Sequence, residues 1–417
     1  MIGVAVGLGN VWRFPYMMGK YGGSAFLFIY LLFTLFFAIP AMMAEWGLGR
    51  ETRKGTIGAF SDALGPTAGK MIGYLLFITV LIANSYYVVV IANAVFSAYF
   101  SAVYGFQESN LDTFQSMLGS GGLQYVIAVC TLSFSLYVIY RGLNRGIELV
   151  SRIFVPFFLV VMIYLVFNAF ALEGAGTHFA NFLKPDFAAL EAQHIFAALG
   201  QTFFSIGLGG TFLVIYGSYL QESEWLPKSA FFVAAGDVGA AVLASLFIVP
   251  SVLVFGLDMA SGPGLIFSTL PRLFMVMPLG RVLGTLFLVA LVMVALLSNI
   301  AALEVLVGSM KDRQSRKWSR NKILILIGVL EFALILPSAL HPPLIGILDL
   351  IFGSGMQVLG SALALIALTS GLGKTKTLVQ IFGNTETGQT VFFFWLRWII
   401  PAVLFSILAA YIYNALV

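Results

Sequence analysis

Charged residues are scarce in this chain of 417 residues, since only 10% are Asp, Glu, Lys or Arg while 60% are hydrophobic. A soluble domain is usually about one quarter charged, so this composition excludes an ordinary water-soluble fold. A single cysteine, Cys130, excludes an internal disulfide and a cysteine-based metal centre. Cys130 lies in an apolar run, where we expect it to be a small core residue. The three histidines are scattered without the spacing of metal ligands.

The chain also lacks a catalytic motif, because we find no nucleophile–base pair, metal motif or complete phosphate loop. The stretch from Gly371 to Thr375 resembles only the end of a phosphate loop, since Leu368 stands where the first glycine is required. We therefore do not expect an enzyme. The net charge of +4 does not indicate a nucleic-acid partner, because the positive residues fall in loops between apolar runs.

Long apolar runs occur along the whole sequence. A membrane helix needs roughly 20 mostly apolar residues, and the runs predict an all-α membrane protein with a single domain over residues 1–417. The bilayer is therefore its expected surrounding. The predicted spans lie near residues 2–20, 24–48, 70–103, 122–140, 146–171, 194–219, 228–256, 281–310, 322–340, 343–371 and 390–415.

Basic residues concentrate in the loops that follow even-numbered spans. The most basic loop lies between Lys311 and Lys322, whereas the loops on the other side hold Lys20, Lys184 and Arg272 and little else. Lys and Arg favour the cytoplasmic side of a membrane. The pattern predicts a plasma-membrane protein whose N-terminus is cytoplasmic and, with eleven spans, whose C-terminus is outside.

Two spans carry a Gly-Leu-Gly sequence near their middle, at Gly7–Gly9 in span 1 and Gly207–Gly209 in span 6. Glycine weakens a helix by about 1 kcal/mol relative to alanine, and unwound backbone at membrane depth is tolerated where it lines a cavity. Paired interruptions five spans apart predict inverted repeats with a transport site between them. The alternative is that these glycines only let helices pack closely. The polar residues Asn10 and Ser205 at the breaks favour the transport site.

Several motifs resemble those of the neurotransmitter:sodium symporter family, and the resemblance covers essentially the whole chain. They are Gly7-Leu8-Gly9-Asn10-Val11-Trp12-Arg13-Phe14-Pro15-Tyr16, Tyr21-Gly22-Gly23-Ser24-Ala25-Phe26, Glu45-Trp46-Gly47-Leu48-Gly49-Arg50, Tyr216-Gly217-Ser218-Tyr219 and the stretch from Phe255 to Pro271. The last stretch and the eleven spans are similar to the bacterial branch.

This resemblance implies a LeuT-like bundle of five plus five helices, with helices 1 and 6 broken. The first repeat would cover about residues 1–171, the second about 194–371, and an extra helix about 390–415. The implied activity is sodium-coupled symport of amino acids by alternating access, by a monomer or a homodimer. The alternative is a relative that binds an amino acid without transporting it, or a truncated pseudo-transporter.

Two sodium sites follow from the resemblance. The first would use the Ala5 carbonyl, the Asn10 side chain, Ser205 and Asp237. A carboxylate at position 237 would supply fixed negative charge, which suggests that chloride is not required. The alternative for Asp237 is a solvated residue near the start of helix 7. The second site would use the Gly3, Val6 and Val294 carbonyls and Ser298, and Leu297 stands where the family usually has threonine, so sodium there would be weak.

The implied substrate site lies between the two breaks, where the ends of half-helices favour an anionic group. Relatives that carry monoamines have aspartate at the position of Gly7, so glycine leaves room for the carboxylate of an amino acid. Tyr87 would donate its hydroxyl to that carboxylate, or would only pack and bond to backbone. The full implied set is Ala5, Gly7, Gly9, Ala83, Tyr87, Phe204, Ser205, Gly207, Gly210, Ser298 and Ala302.

Small residues at positions 83, 210 and 302 predict room for a large apolar or aromatic side chain. The same resemblance implies an outer gate formed by Arg13, Asp349 and Gln201 above an aromatic lid of Phe204 and Tyr87. An inner gate would pair Tyr219 with Asp312. The buried acids Glu45 and Glu304 are expected to hold backbone groups. Compared with the family pattern, we expect the inner half of helix 1 and its basic leader to be missing, which favours the non-transporting alternative.

Overall fold

The structure, a computed structural model, describes residues 7–188, 190–259, 265–313, 318–383 and 389–416. All regular elements in these ranges are helices. The membrane helices are α1 (Gly9–Arg13 and Phe14–Lys20), α2 (Ser24–Thr52), α3 (Ala68–Val103), α4 (Gly121–Tyr140), α5 (Arg145–Phe170), α6 (Ala192–Ile206 and Phe212–Ser218), α7 (Leu226–Val254), α8 (Gly280–Lys311), α9 (Arg320–Leu340), α10 (Pro343–Leu372) and α11 (Gln389–Ala410).

Nine of these described helices are long and apolar enough to cross a membrane without interruption. The other two are α1 and α6, the spans in which glycines predict a break. The predicted all-α membrane bundle is therefore confirmed. Five shorter helices lie in the connections, at Thr56–Leu64, Leu111–Leu118, Ala175–Phe182, Leu270–Val276 and Lys374–Phe382.

Local sequence explains where several helices begin. Pro227 and Pro343 lie in the first turns of α7 and α10, where a missing backbone N–H removes no helical hydrogen bond. The Ser319 hydroxyl caps α9 by accepting a hydrogen bond from the Lys322 backbone N–H at 3.4 Å. These residues explain why α7, α9 and α10 begin where they do.

The predicted break in α6 is present. The first half ends at Ile206, and Gly207 follows with φ +74°, a left-handed conformation that favours glycine. Gly210 has φ +70°, and helical structure resumes at Phe212. For α1 the described chain begins at Gly7, next to the start of the helix. The inner half of span 1 therefore lies outside the described residues.

The second half of α6 packs directly on the backbone of α2. A Cβ atom added to Gly49 would lie 1.9 Å from the Val214 carbonyl oxygen, and one added to Gly217 would lie 2.5 Å from the Trp46 carbonyl oxygen. Only glycine fits at these two positions, because any side chain would overlap backbone. This contact fixes the short second half of α6 against α2, which is continuous.

Contacts near the helix ends show that alternate ends meet. Arg50 in the last turn of α2 donates to the Glu224 carbonyl after α6 at 2.7 Å, and Lys376 after α10 pairs with Glu51 of α2 at 2.9 Å. We call this the basic end of the bundle, defined by Arg50, Arg320 and Lys376. At the opposite end, Arg281 donates to the Ala102 carbonyl at 2.6 Å. This alternation is what eleven consecutive crossings require.

One detail of the sequence analysis is wrong. Cys130 is exposed on α4 rather than buried in the core, because α4 is a peripheral helix with much of its surface facing outwards. The division into repeats at about residues 1–171 and 194–371 stays a prediction.

The close approach of α2 and α6 predicts that Gly49→Ala destabilises the protein by about 1–3 kcal/mol, as overpacking usually does. The melting temperature of purified protein in detergent, followed by size-exclusion fluorescence, would fall by a few degrees. Gly239→Ala on α7 is the matched control, because a Cβ there meets no atom within 4 Å. Equal stability of both variants would contradict this packing account.

Candidate functional site

A cavity of about 420 Å³ lies where α1, α3, α6, α8 and α10 meet, at the level of the α6 break. It reaches towards the end opposite the basic end, since Phe267, Pro342 and Ile345 belong to its wall. The implied substrate residues that line it are Gly7, Gly9, Ala83, Tyr87, Phe204, Ser205, Gly207, Ser298 and Ala302. One cavity thus brings together residues that are almost 300 positions apart in sequence.

Two residues of the implied substrate set are not in this wall. Ala5 lies outside the described residues. Gly210 points elsewhere, since a Cβ there would lie 2.6 Å from the Gly360 carbonyl oxygen and 3.2 Å from the Leu76 side chain. Its glycine is explained by packing against α10 and by its positive φ. Thr211, the next residue, lines the cavity instead.

Asn10, Ser205 and Asp237 form a buried polar cluster beside the cavity. The Asn10 amide donates to Asp237 Oδ1 at 2.6 Å and to the Ser205 hydroxyl at 3.1 Å. Ser205 also donates to Asp237 Oδ1 at 2.9 Å. Asp237 is fully buried in the interior of α7, so the alternative of a solvated residue at the helix start is wrong.

This cluster has the chemistry of a sodium site. Hard cations prefer carboxylate, hydroxyl and amide oxygens, and all three are present on separate helices. The Asn10 amide oxygen now accepts from the Gly7 backbone N–H at 2.8 Å. Exchange of the amide nitrogen and oxygen would turn that oxygen towards Ser205 and Asp237. The residues therefore fit a cation in place of the present hydrogen bonds.

Tyr30 on α2 belongs to the same cluster and was missed by the sequence analysis. Its hydroxyl donates to Asp237 Oδ2 at 3.1 Å, and the residue is fully buried. One tyrosine among many aromatic residues of an apolar span gives no signal in a single sequence. Tyr30 holds the carboxylate oxygen that Asn10 and Ser205 leave free.

Gly7, Ser298 and Tyr87 also meet in the wall of the cavity. A Cβ atom on Gly7 would lie 2.7 Å from the Ser298 hydroxyl oxygen, so a larger residue would displace that hydroxyl. The Tyr87 hydroxyl interacts with Ser298 and with the Leu8 backbone. Because Gly7 has no side chain, a space remains beside it. The hydroxyl groups of Ser298 and Tyr87 bound this space.

The second implied sodium site is only partly within the described residues. Val294 and Leu297 are buried on α8, next to Ser298, whereas Gly3 and Val6 lie outside the described part. The Leu297 side chain offers no oxygen, as the sequence indicates. This site stays a prediction.

The implied outer gate is arranged differently from the simple pair that we expected. Arg13 and Asp349, both described, are not joined by an ion pair. The Arg13 guanidinium lies 4.0 Å from the centre of the Phe204 ring, a cation–π contact, and its Nη1 has no hydrogen-bond partner. Asp349 accepts from the Tyr86 hydroxyl at 3.0 Å. Gln201 is fully buried, with its side-chain amide unpaired.

The basic end contains an ion pair that the sequence did not predict. Tyr219 donates to Glu304 Oε1 at 3.0 Å, and Arg320 contacts Glu304 Oε2 at 2.6 Å. Glu304 was expected to hold backbone, and Tyr219 to pair with Asp312. The first expectation is wrong, because two side chains occupy the Glu304 carboxylate. The Asp312 side chain lies outside the described part.

Glu45 behaves as expected for a buried acceptor. Its Oε1 accepts from the Gly209 backbone N–H at 3.0 Å. The N–H belongs to the unwound part of α6, where no helical carbonyl is available. Glu45 on α2 therefore satisfies backbone that the break has exposed.

A broken helix, a cavity at membrane depth and polar closures at its margins define a multi-pass membrane transporter. The family model for the sodium:neurotransmitter symporter family matches residues 1–105 and 101–416. The chain belongs to this family, which confirms the resemblance seen in its motifs. Its membership also agrees with the prediction that the chain is not an enzyme, and identifies it as a sodium-dependent symporter.

Two curated relatives are uncharacterised sodium-dependent transporters. One, from Bacillus subtilis, is 28% identical and covers 96% of this chain and 92% of its own length. One from Methanocaldococcus jannaschii is 33% identical over 78% of this chain and 70% of its own length. The creatine transporter of Torpedo marmorata is 29% identical over 76% of this chain and 60% of its own length.

A solved structure supports the same fold. The crystal structure of MhsT in complex with L-phenylalanine superposes with a TM-score of 0.87 at 28% identity, over 98% of this chain and 96% of that one. The predicted LeuT-like bundle is thereby confirmed.

Because Glu304 joins Tyr219 to Arg320, Glu304→Gln should weaken closure of the basic end and reduce sodium-driven uptake in proteoliposomes several-fold. Loss of a mostly buried pair leaves Arg320 without its partner. Glu148→Gln is the matched control, since Glu148 forms an exposed pair with Arg152 on α5. Wild-type uptake in the Glu304 variant would show that this closure does not matter to transport.

Proposed function

We propose that this protein is a symporter that couples the sodium gradient to uptake of an apolar or aromatic amino acid by alternating access. The observation that carries the proposal is the position of the Asn10–Ser205–Asp237 cluster beside the cavity at the α6 break. Asn10 and Ser205 belong both to the cluster and to the cavity wall. An ion bound at the cluster would therefore order residues that contact the substrate.

The substrate carboxylate is assigned to the space beside Gly7. The first turn of α1 begins at Gly9, next to this space. A helix start favours an anion through its dipole. Tyr87 adds a hydroxyl donor at the same edge of the cavity. A zwitterionic amino acid matches this arrangement better than a cationic amine does.

The substrate side chain is assigned to the part of the cavity bounded by Ala83 and Ala302. Both residues are small, which leaves volume for a large apolar group. The presence of L-phenylalanine in the MhsT structure supports this substrate class. Preference for glycine or alanine over tryptophan and leucine in competition assays would rule the assignment out.

Two sodium ions are proposed, one at Asn10, Ser205 and Asp237 and a weaker one at Val294 and Ser298. The Asp237 carboxylate supplies negative charge next to the first ion, so chloride is not required. The basic end is assigned to the cytoplasm by the positive-inside pattern. Because the cavity reaches towards the other end, this conformation would receive substrate from outside.

The proposal is tested by uptake of labelled phenylalanine into proteoliposomes under an inward sodium gradient. Sodium-driven accumulation that persists when gluconate replaces chloride is expected. Binding without accumulation would favour a non-transporting amino-acid-binding relative, to which Leu297 at the second ion site lends support. Accumulation that needs chloride would refute the role given to Asp237.

Tyr87→Phe should weaken phenylalanine binding about ten-fold or more, because a hydrogen bond to a charged group contributes about 1.5–3 kcal/mol. Equilibrium binding to purified protein measures this. Tyr99→Phe on the same helix is the matched control, since Tyr99 is exposed outside the cavity. Unchanged affinity in the Tyr87 variant would place the carboxylate elsewhere.

Asn10→Ala should raise the sodium concentration for half-maximal substrate binding several-fold, because it removes one ion ligand. Titration of binding with sodium at constant ionic strength is the measurement. Asn168→Ala, on α5 outside the cavity, serves as control. A sodium dependence equal to that of the unchanged protein would remove Asn10 from the ion site.

A further inference from the structure

Glu331 is a buried acid in the middle of α9 that the transport site does not use. The residue is fully buried, and neither carboxylate oxygen has a hydrogen-bond partner among the described residues. An ionised carboxylate at membrane depth without a cation or donors is strongly unfavourable. The environment therefore stabilises the neutral, protonated acid.

The described surroundings of Glu331 offer no positive charge. Helix α9 packs against α3, α4, α8 and the start of α10, and four titratable groups on these helices are engaged elsewhere. The Tyr125 hydroxyl donates to the Phe332 carbonyl, Tyr86 donates to Asp349, Tyr87 interacts with Ser298, and Glu304 binds Arg320. Within the part of the chain that the structure describes, no basic side chain contributes to the environment of Glu331.

A polar link runs from Glu331 to the substrate cavity. Its carboxyl group approaches the Asn84 amide on α3, although without full hydrogen-bond geometry. The Asn84 amide oxygen accepts from Asn299 Nδ2 on α8 at 2.7 Å. Asn84 itself lines the cavity, and Asn299 follows Ser298 directly. The remaining groups of the pair, Asn84 Nδ2 and Asn299 Oδ1, are unpaired.

Glu331 is not part of the cavity wall, so a bound substrate would reach it only through Asn84. Glu331 therefore does not recognise substrate by direct contact. It is also not part of the Asn10–Ser205–Asp237 cluster, which lies on α1, α6 and α7.

We propose that Glu331 is a proton-binding site whose occupancy is linked to the substrate cavity through Asn84 and Asn299. In this conformation the carboxyl group holds a proton taken from water. When the proton returns to water, the carboxylate draws the Asn84 amide or solvent towards itself, and the packing of α9 on α3 and α8 loosens. The inference goes beyond sodium coupling and rests on the proposed amino-acid site only for its binding readout.

Linkage gives the direction of the effect. If the protonated form supports the conformation that binds substrate, affinity falls as rising pH removes the proton. One linked proton changes the binding constant by at most about ten-fold per pH unit. Because Glu331→Gln is neutral at every pH, it should abolish this dependence.

Two measurements on purified protein in sodium test the proposal. The first is the affinity for phenylalanine from mildly acidic to alkaline pH. The second is the melting temperature over the same range without substrate, which remains informative if phenylalanine is not the substrate. As the pH rises from mildly acidic to alkaline, the unchanged protein should lose affinity and stability, whereas Glu331→Gln should keep both nearly constant. Glu148→Gln, an exposed acid on α5, should behave like the unchanged protein.

Identical pH profiles for Glu331→Gln and the unchanged protein would overturn the proposal. If the glutamine variant does not fold, Glu331→Met supplies a neutral side chain of similar volume, and the same comparison applies. Flat profiles of stability and affinity in the unchanged protein would also overturn the proposal, with no variant needed. The protein could fail to bind phenylalanine while its melting temperature still depends on pH through Glu331. That result would count only against phenylalanine as the substrate.

Discussion

The break in α6 is the feature on which the site depends, because a membrane interior leaves no water to satisfy unwound backbone. Gly207 and Gly210, which lie between the two half-helices, take left-handed conformations. Glu45 accepts a hydrogen bond from the Gly209 N–H. Close backbone contact through Gly49 and Gly217 then holds the second half against α2. Each of these residues makes an otherwise costly interruption stable, and the cavity opens beside it.

Charge is placed around this break in a consistent way. Asp237, Asn10 and Ser205 collect oxygens and an amide on one side of the cavity, with Tyr30 holding the remaining carboxylate oxygen. At the two ends, charged side chains contact other side chains instead of lying in this cluster. Glu304 gathers Tyr219 and Arg320 at the basic end, while Arg13 lies on Phe204 at the other. Sodium dependence, which the family establishes, fits the first group.

Hydropathy and glycine placement predicted much of the fold from the sequence alone. The spans followed from apolar length, and the α6 break followed from Gly207–Gly209, because both signals are local in the chain. Most substrate-site residues came from the family motifs, and the cavity gathers them. Cross-helix partners were harder to predict. Nothing local indicates that Glu304 meets Arg320, that Tyr30 reaches Asp237, that Gly210 faces α10, or that Glu331 lies beside Asn84, since such pairs depend on helix rotation.

We propose that an ion between Asn10, Ser205 and Asp237 organises the cavity for an amino acid. Equilibrium binding of labelled phenylalanine to the purified protein, in sodium against potassium at equal ionic strength, tests this most directly. We expect saturable binding in sodium that is lost in potassium. Equal affinity in both salts would contradict it, because the cluster beside the cavity would then be a structural hydrogen-bond network with no ion in its function.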